Sequence, residues 1–346
     1  MVLAPEALHA AVAPTSRAIT GGSAVTVRTL PGGASLRRYH RVAVEGGQPP
    51  TLVVMELGDD RKPEEVTAGE APRELPFVDV LRYLERGNVA VPRLYHFDEP
   101  GGLLYIEDLG DDTFESRVQG ADDETRARWY RAAIDDLVAI QRYAAANPSG
   151  SVAFTRGFDR DLLSWELDHF REWGLEAGAG ATLSPVERAE LDRQFRTIAD
   201  RLAAEPRGFV HRDYQSRNIM VKEGRLRLID FQDALLGTRA YDLVALLRDS
   251  YVVLSPSLVD RLVGYYAERA AVDATSFRAL FDLQTVQRKL KDAGRFVFID
   301  RVKHNPTFLQ HIPSSHAYVA QALARLPELA SLREIVARWI PSIATG

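Results

Sequence analysis

The chain has no cysteine among its 346 residues, which excludes disulfides, thiolate catalysis and sulfur-ligated zinc and suits a reducing, cytoplasmic setting. It also lacks a strong charge of either sign. A formal net charge of −5 gives no general attraction for nucleic acid or an anionic membrane, so any polyanion has to be held by a local patch. No window approaches the apolar length that spans a bilayer, and the opening MVLAPEALHAAVAPTSR lacks the basic region and sustained apolar run of a secretory signal. That segment reads as a short amphipathic helix. No internal repeat is apparent, and the nearest thing to low complexity is LEAGAGATLS near residue 180, a linker by composition.

A hydrophobic content of 46% is enough to bury a full-sized core divided into two domains or lobes. From Ala24 to Leu57 three β-rich runs are separated by PGG and EGGQPP, the punctuation of an antiparallel meander. The polar GDDRKPEEVTAGEAPRE reads as a mobile loop. LPFVDVLRYLERGN carries helical spacing and stops at Gly87, and two further strands are expected to turn at Pro100 and Gly101. After Thr113 the pattern is mostly helical: Tyr130, Ile134, Leu137 and Ile140 share one helical face, and Leu162, Trp165, Phe170 and Trp173 mark a second, less regular one. Ser184, Pro185 and Glu187 supply the N-cap, first-turn proline and reaching-back acid of a capping box, so a long helix is expected from there toward Ala204.

Strand character returns in FVHRDYQSRNIMVKEGRLRLIDFQDA, residues 209 to 234, with a turn at Glu223-Gly224. Ionisable residues crowd the loops on either side of this small hairpin, where side chains can converge without each being buried. Asp213 precedes Asn218 by five positions and Asp230 by 17 (230 minus 213), and a hairpin brings its two ends together. A base, a carbonyl oxygen ligand and a carboxylate ligand can then share one site. Hard oxygen ligands without a His or Cys set favour Mg²⁺, which completes its octahedron with waters and substrate phosphates. Such a site suits phosphoryl transfer, with Asp213 orienting and deprotonating the attacking hydroxyl.

The stretches HRDYQSRN, LIDFQDA and AYDLVALLRDSY together resemble the aminoglycoside phosphotransferase branch of the protein-kinase-like fold. With SLRRYHRV at 35 to 42, YIEDLG at 105 to 110 and QRKLKDAGRF at 287 to 296, the chain is more narrowly similar to the anomeric kinases of N-acetylmuramate and N-acetylglucosamine in bacterial cell-wall recycling. The resemblance runs over about residues 24 to 318. It implies an α+β, two-lobed fold with an antiparallel-sheet N-lobe over residues 1–107 and a helical C-lobe over 108–346. It also implies ATP and Mg²⁺ as cofactors, a sugar as the small-molecule acceptor, and neither nucleic acid nor membrane as partner.

Carried over position by position, the resemblance makes Asp213 the catalytic base and Asn218 and Asp230 the metal ligands. Ile106 to Leu109, with Glu107 and Leu109 as the nucleotide-binding positions, become the hinge whose backbone pairs with adenine. Asp242 braces the catalytic loop by accepting its backbone N–H groups, and His211 and Arg212 hold that loop in shape without touching substrate.

Two features depart from the kinase pattern. The third strand, TLVVMEL, places Met55 near the expected phosphate-gripping lysine, which leaves Arg38 or Arg41 as candidate replacements; side chains alternate along a strand, so Arg37, Arg38 and Arg41 cannot all face the nucleotide. The first turn, LPGGASLRR, has two adjacent glycines instead of a spaced glycine motif. Several residues carry two readings. Asp233 is a metal or substrate contact, or a turn residue. Arg288, Lys289 and Lys291 are acceptor contacts or an exposed helix face, and Asp161, Glu166, Asp168 and Glu172 are hydrogen-bonding partners for an acceptor or a solvated face. Trp165, Phe170 and Trp173 stack on a sugar ring or belong to the core. Other acceptors (an aminoglycoside, an amino alcohol, another sugar) and a nucleotide-binding pseudokinase remain as alternatives. A protein kinase is disfavoured, because little chain separates DFQDALLGTRAYDL from the next helix.

Overall fold

The computed structural model describes residues 4–31, 37–57 and 74–344. The polar stretch read as a mobile loop lies outside these residues except at its last position, as do Gly32 and Gly33 of the first turn. The chain divides into two compact units. One is made from the described parts of Met1–Thr67, Ala90–Asp112 and Met220–Ile229; the other comes from those of Ala68–Val89, Thr113–Ile219 and Asp230–Gly346.

In the first unit, α1 (Pro5–Thr20) begins with proline at its first turn and ends at Gly21, whose φ of 72° suits a residue without Cβ. The strands β1 (Val25–Thr29), β2 (Arg38–Val44), β3 (Thr51–Glu56), β4 (Leu94–Asp98) and β5 (Leu103–Glu107) form one antiparallel sheet in the order β1-β2-β3-β5-β4. The meander and the turn after Pro100 are therefore where the sequence places them. Val42, Val44, Leu52, Val54, Leu103 and Tyr105 form one sheet face and bury Leu8 and Val12 of α1 against it. Register then assigns the remaining side chains: Arg38 pairs with Glu56 and His40 with Val54 on that α1-facing side, whereas Tyr39 pairs with Met55 and Arg41 with Val53 on the other.

The second unit is helical. It contains α2 (Pro76–Arg86), α3 (Phe114–Val118), α4 (Asp123–Ala146) and α5 (Arg160–His169), which continues as a π-helix over Phe170–Gly178. The wider π turn explains why the apolar spacing from Leu162 to Trp173 fits no single helical period. Part of the LEAGAGATLS stretch read as a linker is this π-helix. Next comes α6 (Pro185–Ala204), capped by Ser184 and Glu187, each hydrogen-bonding the other's backbone. The short strand β6 (Arg207–Val210) pairs with β9 (Leu235–Thr238), a strand that the sequence reading did not separate.

The chain between β6 and β9 carries the hairpin β7 (Ile219–Lys222) and β8 (Arg225–Leu228), which apart from Ile219 belongs to the first unit and turns through Glu223 and Gly224 at φ 54° and 74°. Two positive φ values in a two-residue loop match the twist of the flanking strands. The helices α7 (Tyr241–Leu247), α8 (Pro256–Ala270), α9 (Ala274–Lys303), α10 (Ile312–Leu323) and α11 (Ala330–Trp339) complete the second unit. One core of this unit joins α5 and its π-helical continuation to α6, α9, α10 and α11 through Leu167, Phe170, Phe195, Leu290, Val319 and Leu332. The π-helix comes so close to α9 that a Cβ on Gly294 would stand 2.8 Å from Phe170 Cα, so no larger residue fits there without movement. Truncating a side chain such as Phe170 to alanine in this core costs about 3–5 kcal/mol.

Candidate active site

The loop that follows β6 is held from below by two carboxylates. Asp242, at the first turn of α7 and almost fully buried, accepts the backbone N–H of His211 at 2.7 Å and that of Arg212 at 3.0 Å. Burial pushes its carboxyl up to about 7, against the pull of those two N–H groups and Arg288. Asp249, just past α7 and equally buried, accepts the N–H of Ser216 at 2.8 Å and of Tyr251 at 3.0 Å. The sequence reading missed Asp249, although it lies in the quoted LLRDSY, two helical turns beyond Asp242.

Arg212 takes a φ of 80° and Asp230 a φ of 62°, conformations that cost a non-glycine residue about 1–3 kcal/mol and persist where surrounding bonds enforce them. For Arg212 the enforcing bonds are visible. Asp242 holds its N–H, and Arg288 of α9 donates from Nη1 to its carbonyl oxygen at 2.8 Å. Asp213 follows immediately. Its N–H donates to His211 Nδ1 at 3.3 Å, and its Oδ1 lies 3.3 Å from Arg288 Nη2. Burial alone would raise this carboxyl, but Arg288, Arg212, Lys291 and His211 outweigh it and hold it below the usual carboxylate range. The side chain still keeps 42% of its surface exposed, so a substrate can reach it.

Asn218 donates from Nδ2 to the Asp213 carbonyl at 2.9 Å, which leaves its amide oxygen as the donor for a cation. The same bond ties the candidate ligand to the candidate base. Gln232 Nε2 bridges the carboxylates of Asp230, at 2.8 Å, and Asp233, at 3.2 Å. Asp233 also faces Arg156, a largely buried guanidinium that donates to the carbonyls of Gln232 and Ala234. Among the described residues no cluster of three or more His, Cys, Asp or Glu is arranged to hold a metal. One amide oxygen and one carboxylate are hard donors of the kind Mg²⁺ uses when phosphates fill its remaining positions, so this donor set fits that ion.

In the first unit, Glu107 and its neighbours are clamped by two cations. Lys222 of β7 donates to Glu107 Oε1 at 2.7 Å and to the Asp108 carbonyl at 3.0 Å, and it draws the Glu107 carboxyl down against the upward push of burial. Arg41 of β2 contacts Asp108 at 2.8 Å through Nε and Asp111 at 2.9 Å through both terminal nitrogens. Glu107 N–H is already bonded to the Arg93 carbonyl, whereas Leu109 N–H has no backbone acceptor among the described residues. Arg38 lies apart from this clamp. It stands on the α1-facing side of the sheet, 3.7 Å from Glu56, which also receives His40 at 3.3 Å. Met55, at the missing lysine position, is buried and shares its face with Arg41. Lys222 was not singled out in the sequence, where a lysine beside a hairpin turn carries no signal.

The three α9 cations do not form an exposed face. Arg288 and Lys289 are each 1% exposed: Arg288 stacks on the Tyr241 ring at 4.7 Å, and Lys289 donates to Ser250 and Asp292. That reading failed because a cationic run has the same helical spacing whether it faces water or a buried carboxylate. Glu166 is likewise buried, with Oε2 accepting from Gln287 of α9 at 2.5 Å. Asp168 and Glu172 line a surface pocket with Trp165, and Asp168 is neutralised there by Arg171 at 2.9 Å. Phe170 is core, whereas Trp165 stacks on His169 and keeps 39% exposure.

Residues 26–280 match the family described as the phosphotransferase enzyme family. The chain is 32% identical over 311 residues to a protein of Pseudomonas putida named N-acetylmuramate/N-acetylglucosamine kinase, covering 88% of this chain and 85% of that one. A protein of the same name from Pseudomonas aeruginosa is 33% identical over 312 residues, covering 88% and 86%. Among solved structures, a microcompartment-associated aminopropanol kinase superposes with a TM-score of 0.59 at 16% identity, over 92% of this chain and 98% of the other. Choline kinase LicA from Streptococcus pneumoniae gives 0.58 at 14%, over 92% and 99%. These two likenesses establish the fold, which is protein-kinase-like.

Proposed function

The chain belongs to the phosphotransferase enzyme family, and from that premise we propose that it is a kinase moving the γ-phosphate of ATP to the anomeric C1 hydroxyl of N-acetylmuramate or N-acetylglucosamine. The observation that carries the catalytic part is Asp213. It is held as a carboxylate by Arg288, braced through its loop by Asp242, and still open to an incoming group.

Asp213 Oδ1 faces Arg288, so Oδ2 takes the acceptor hydroxyl, orients its oxygen toward the γ-phosphorus and receives its proton as transfer proceeds. A depressed pKa makes a weak base. An anomeric hydroxyl suits that weakness, because it is more acidic than an ordinary alcohol and gives up its proton more readily late in the transfer. Asn218 and Asp230 are the proposed Mg²⁺ ligands, and the ion, when bound, neutralises charge on the β- and γ-phosphates. The proposed role of Asp233 is to steady Asp230 through the Gln232 amide that both carboxylates share. Arg288 acts on the acceptor only through Asp213, and the buried Glu166, held by Gln287, acts only through that amide.

Ile106 to Leu109 are the proposed adenine contacts, with Glu107 fixed by Lys222 and the Leu109 N–H available to a ring nitrogen. Of the two arginines that could replace the missing lysine, Arg41 shares the face of Met55. Its inner partner Asp108 is 7% exposed and its outer partner Asp111 is 79% exposed, so a phosphate can displace Asp111 while Asp108 keeps the guanidinium aimed.

The test is direct. Purified protein incubated with Mg²⁺-ATP and either sugar is expected to yield ADP and a sugar 1-phosphate located by phosphorus NMR. Phosphate on C6 would overturn the anomeric assignment, and no turnover of either sugar would overturn the acceptor class.

A further inference from the structure

Of the α9 cations Arg288, Lys289 and Lys291, the last is tied to a carboxylate that it shares with Lys289. Arg288 faces Asp213 and Lys289 is bonded to Ser250 and Asp292, with both side chains 1% exposed. Lys291 keeps 13% exposure, and its ion-pair partner among the described residues is Asp292, at 3.1 Å. Asp292 already accepts from Lys289 at 2.7 Å, so one carboxylate answers two ammonium groups. An ammonium carries three N–H donors, and the Asp292 contact accounts for one of them among the described residues.

Residues three and four apart share a helical face, so Lys291 stands one turn beyond Arg288 and one turn beyond Gln287. Arg288 leads to Asp213 and Gln287 to Glu166, which puts Lys291 on the strip of α9 between the base and the buried acid of α5. Its charge is felt at both ends. It contributes, after Arg288 and Arg212, to holding Asp213 ionised against burial, and Tyr241, Asp292 and Glu166 in turn favour its own ammonium form. A cation here repels the polycation of an aminoglycoside and attracts an acceptor bearing an anion.

We propose that Lys291 is the counter-ion for a carboxylate carried by the acceptor, so that the site favours a lactyl-bearing amino sugar over the same sugar without that substituent. The inference rests on the sugar-kinase reading above. N-acetylmuramate and N-acetylglucosamine differ by the lactyl ether and its carboxylate, so the two sugars isolate the contact.

Steady-state kinetics at saturating ATP test it with Lys291→Met, Lys291→Gln and Lys291→Arg. Loss of a charge-assisted hydrogen bond predicts a KM for N-acetylmuramate raised about tenfold to a hundredfold in the Met and Gln variants, with the KM for N-acetylglucosamine within about twofold whatever happens to kcat, and partial recovery in the Arg variant. An equal fall in kcat for both sugars with no difference between their KM changes would confine Lys291 to the transfer step, through Asp213 or the phosphoryl group, and overturn the inference. So would unchanged kinetics for both sugars, or loss of native circular dichroism in both Met and Gln variants. Wild-type protein that phosphorylates neither sugar would overturn the function itself, a result visible before any variant is compared.

Discussion

Arg288 and Asp213, 75 residues apart in the chain, meet at 3.3 Å, and the same guanidinium holds the carbonyl of the preceding residue, Arg212. One buried side chain thereby fixes both the charge and the position of the candidate base. Breaking the contact takes the leading cation from a carboxylate that is 42% exposed and frees the loop carbonyl beside it, so its effect is expected on chemistry more than on nucleotide affinity.

Asp213→Asn keeps the shape of the loop and removes the base. Transfer is expected to fall by roughly 10²- to 10⁴-fold while ATP affinity, measured by titration calorimetry, stays within about threefold. Near-normal turnover would take Asp213 out of the role.

The pH profile reports the Arg288 contact. A depressed carboxyl pKa keeps Asp213 ionised into acid, so the acid limb of kcat/KM lies below the ordinary carboxylate range. Arg288→Gln removes the leading cation while Arg212, Lys291 and His211 remain, which moves that limb to higher pH and lowers kcat by roughly tenfold to a hundredfold. The sign for stability is the same: the pair's contribution is present above the unfolded pKa and is lost as pH falls through the lowered folded value. A limb that does not move would separate Arg288 from the base.

Asp242→Ala strips the acceptor from two buried backbone N–H groups, His211 and Arg212. Urea unfolding is expected to show a loss of about 2–4 kcal/mol. Because burial raises this carboxyl to about 7, the folded state binds the extra proton between the ordinary range and that pH, and the ionisation of Asp242 erodes stability as pH rises through the window. Asp242→Asn, which cannot ionise, is expected to flatten that part of the profile.

Arg41→Ala is expected to raise the Michaelis constant for ATP by about tenfold, since both its tie to the adenine-binding segment and its cation are lost. Arg38→Ala, on the opposite sheet face, is expected to change it less than about twofold. Asp111→Ala frees the outer side of the guanidinium and leaves the constant unchanged or lower. Equal values for the Arg38 and Arg41 variants would remove the distinction that register draws between them.

Much of the scaffold was legible because its signals are local. Alternating apolar residues from Ala24 to Leu57, the capping box at Ser184 and Glu187, and the Glu223-Gly224 turn each depend on a few neighbouring residues, and each forms as read. The π-helix after His169 was not legible, because it is stabilised by close approach to Gly294 more than 100 residues later. Lys222, Asp249 and Asp292 were missed for a related reason: a charged residue beside a turn or on a helix looks the same whether water or a distant partner faces it.

The sequence by itself determined the succession of strands from Val25 to Glu107, the loop that carries Asp213 and Asn218, and the motifs that carry the family resemblance, since all of these are local patterns along the chain. Only the tertiary structure decided which sheet face Arg38 and Arg41 occupy and which α9 cations are buried. Those depend on pairing register and on charges brought together from across the chain, and a single linear pattern is compatible with either outcome.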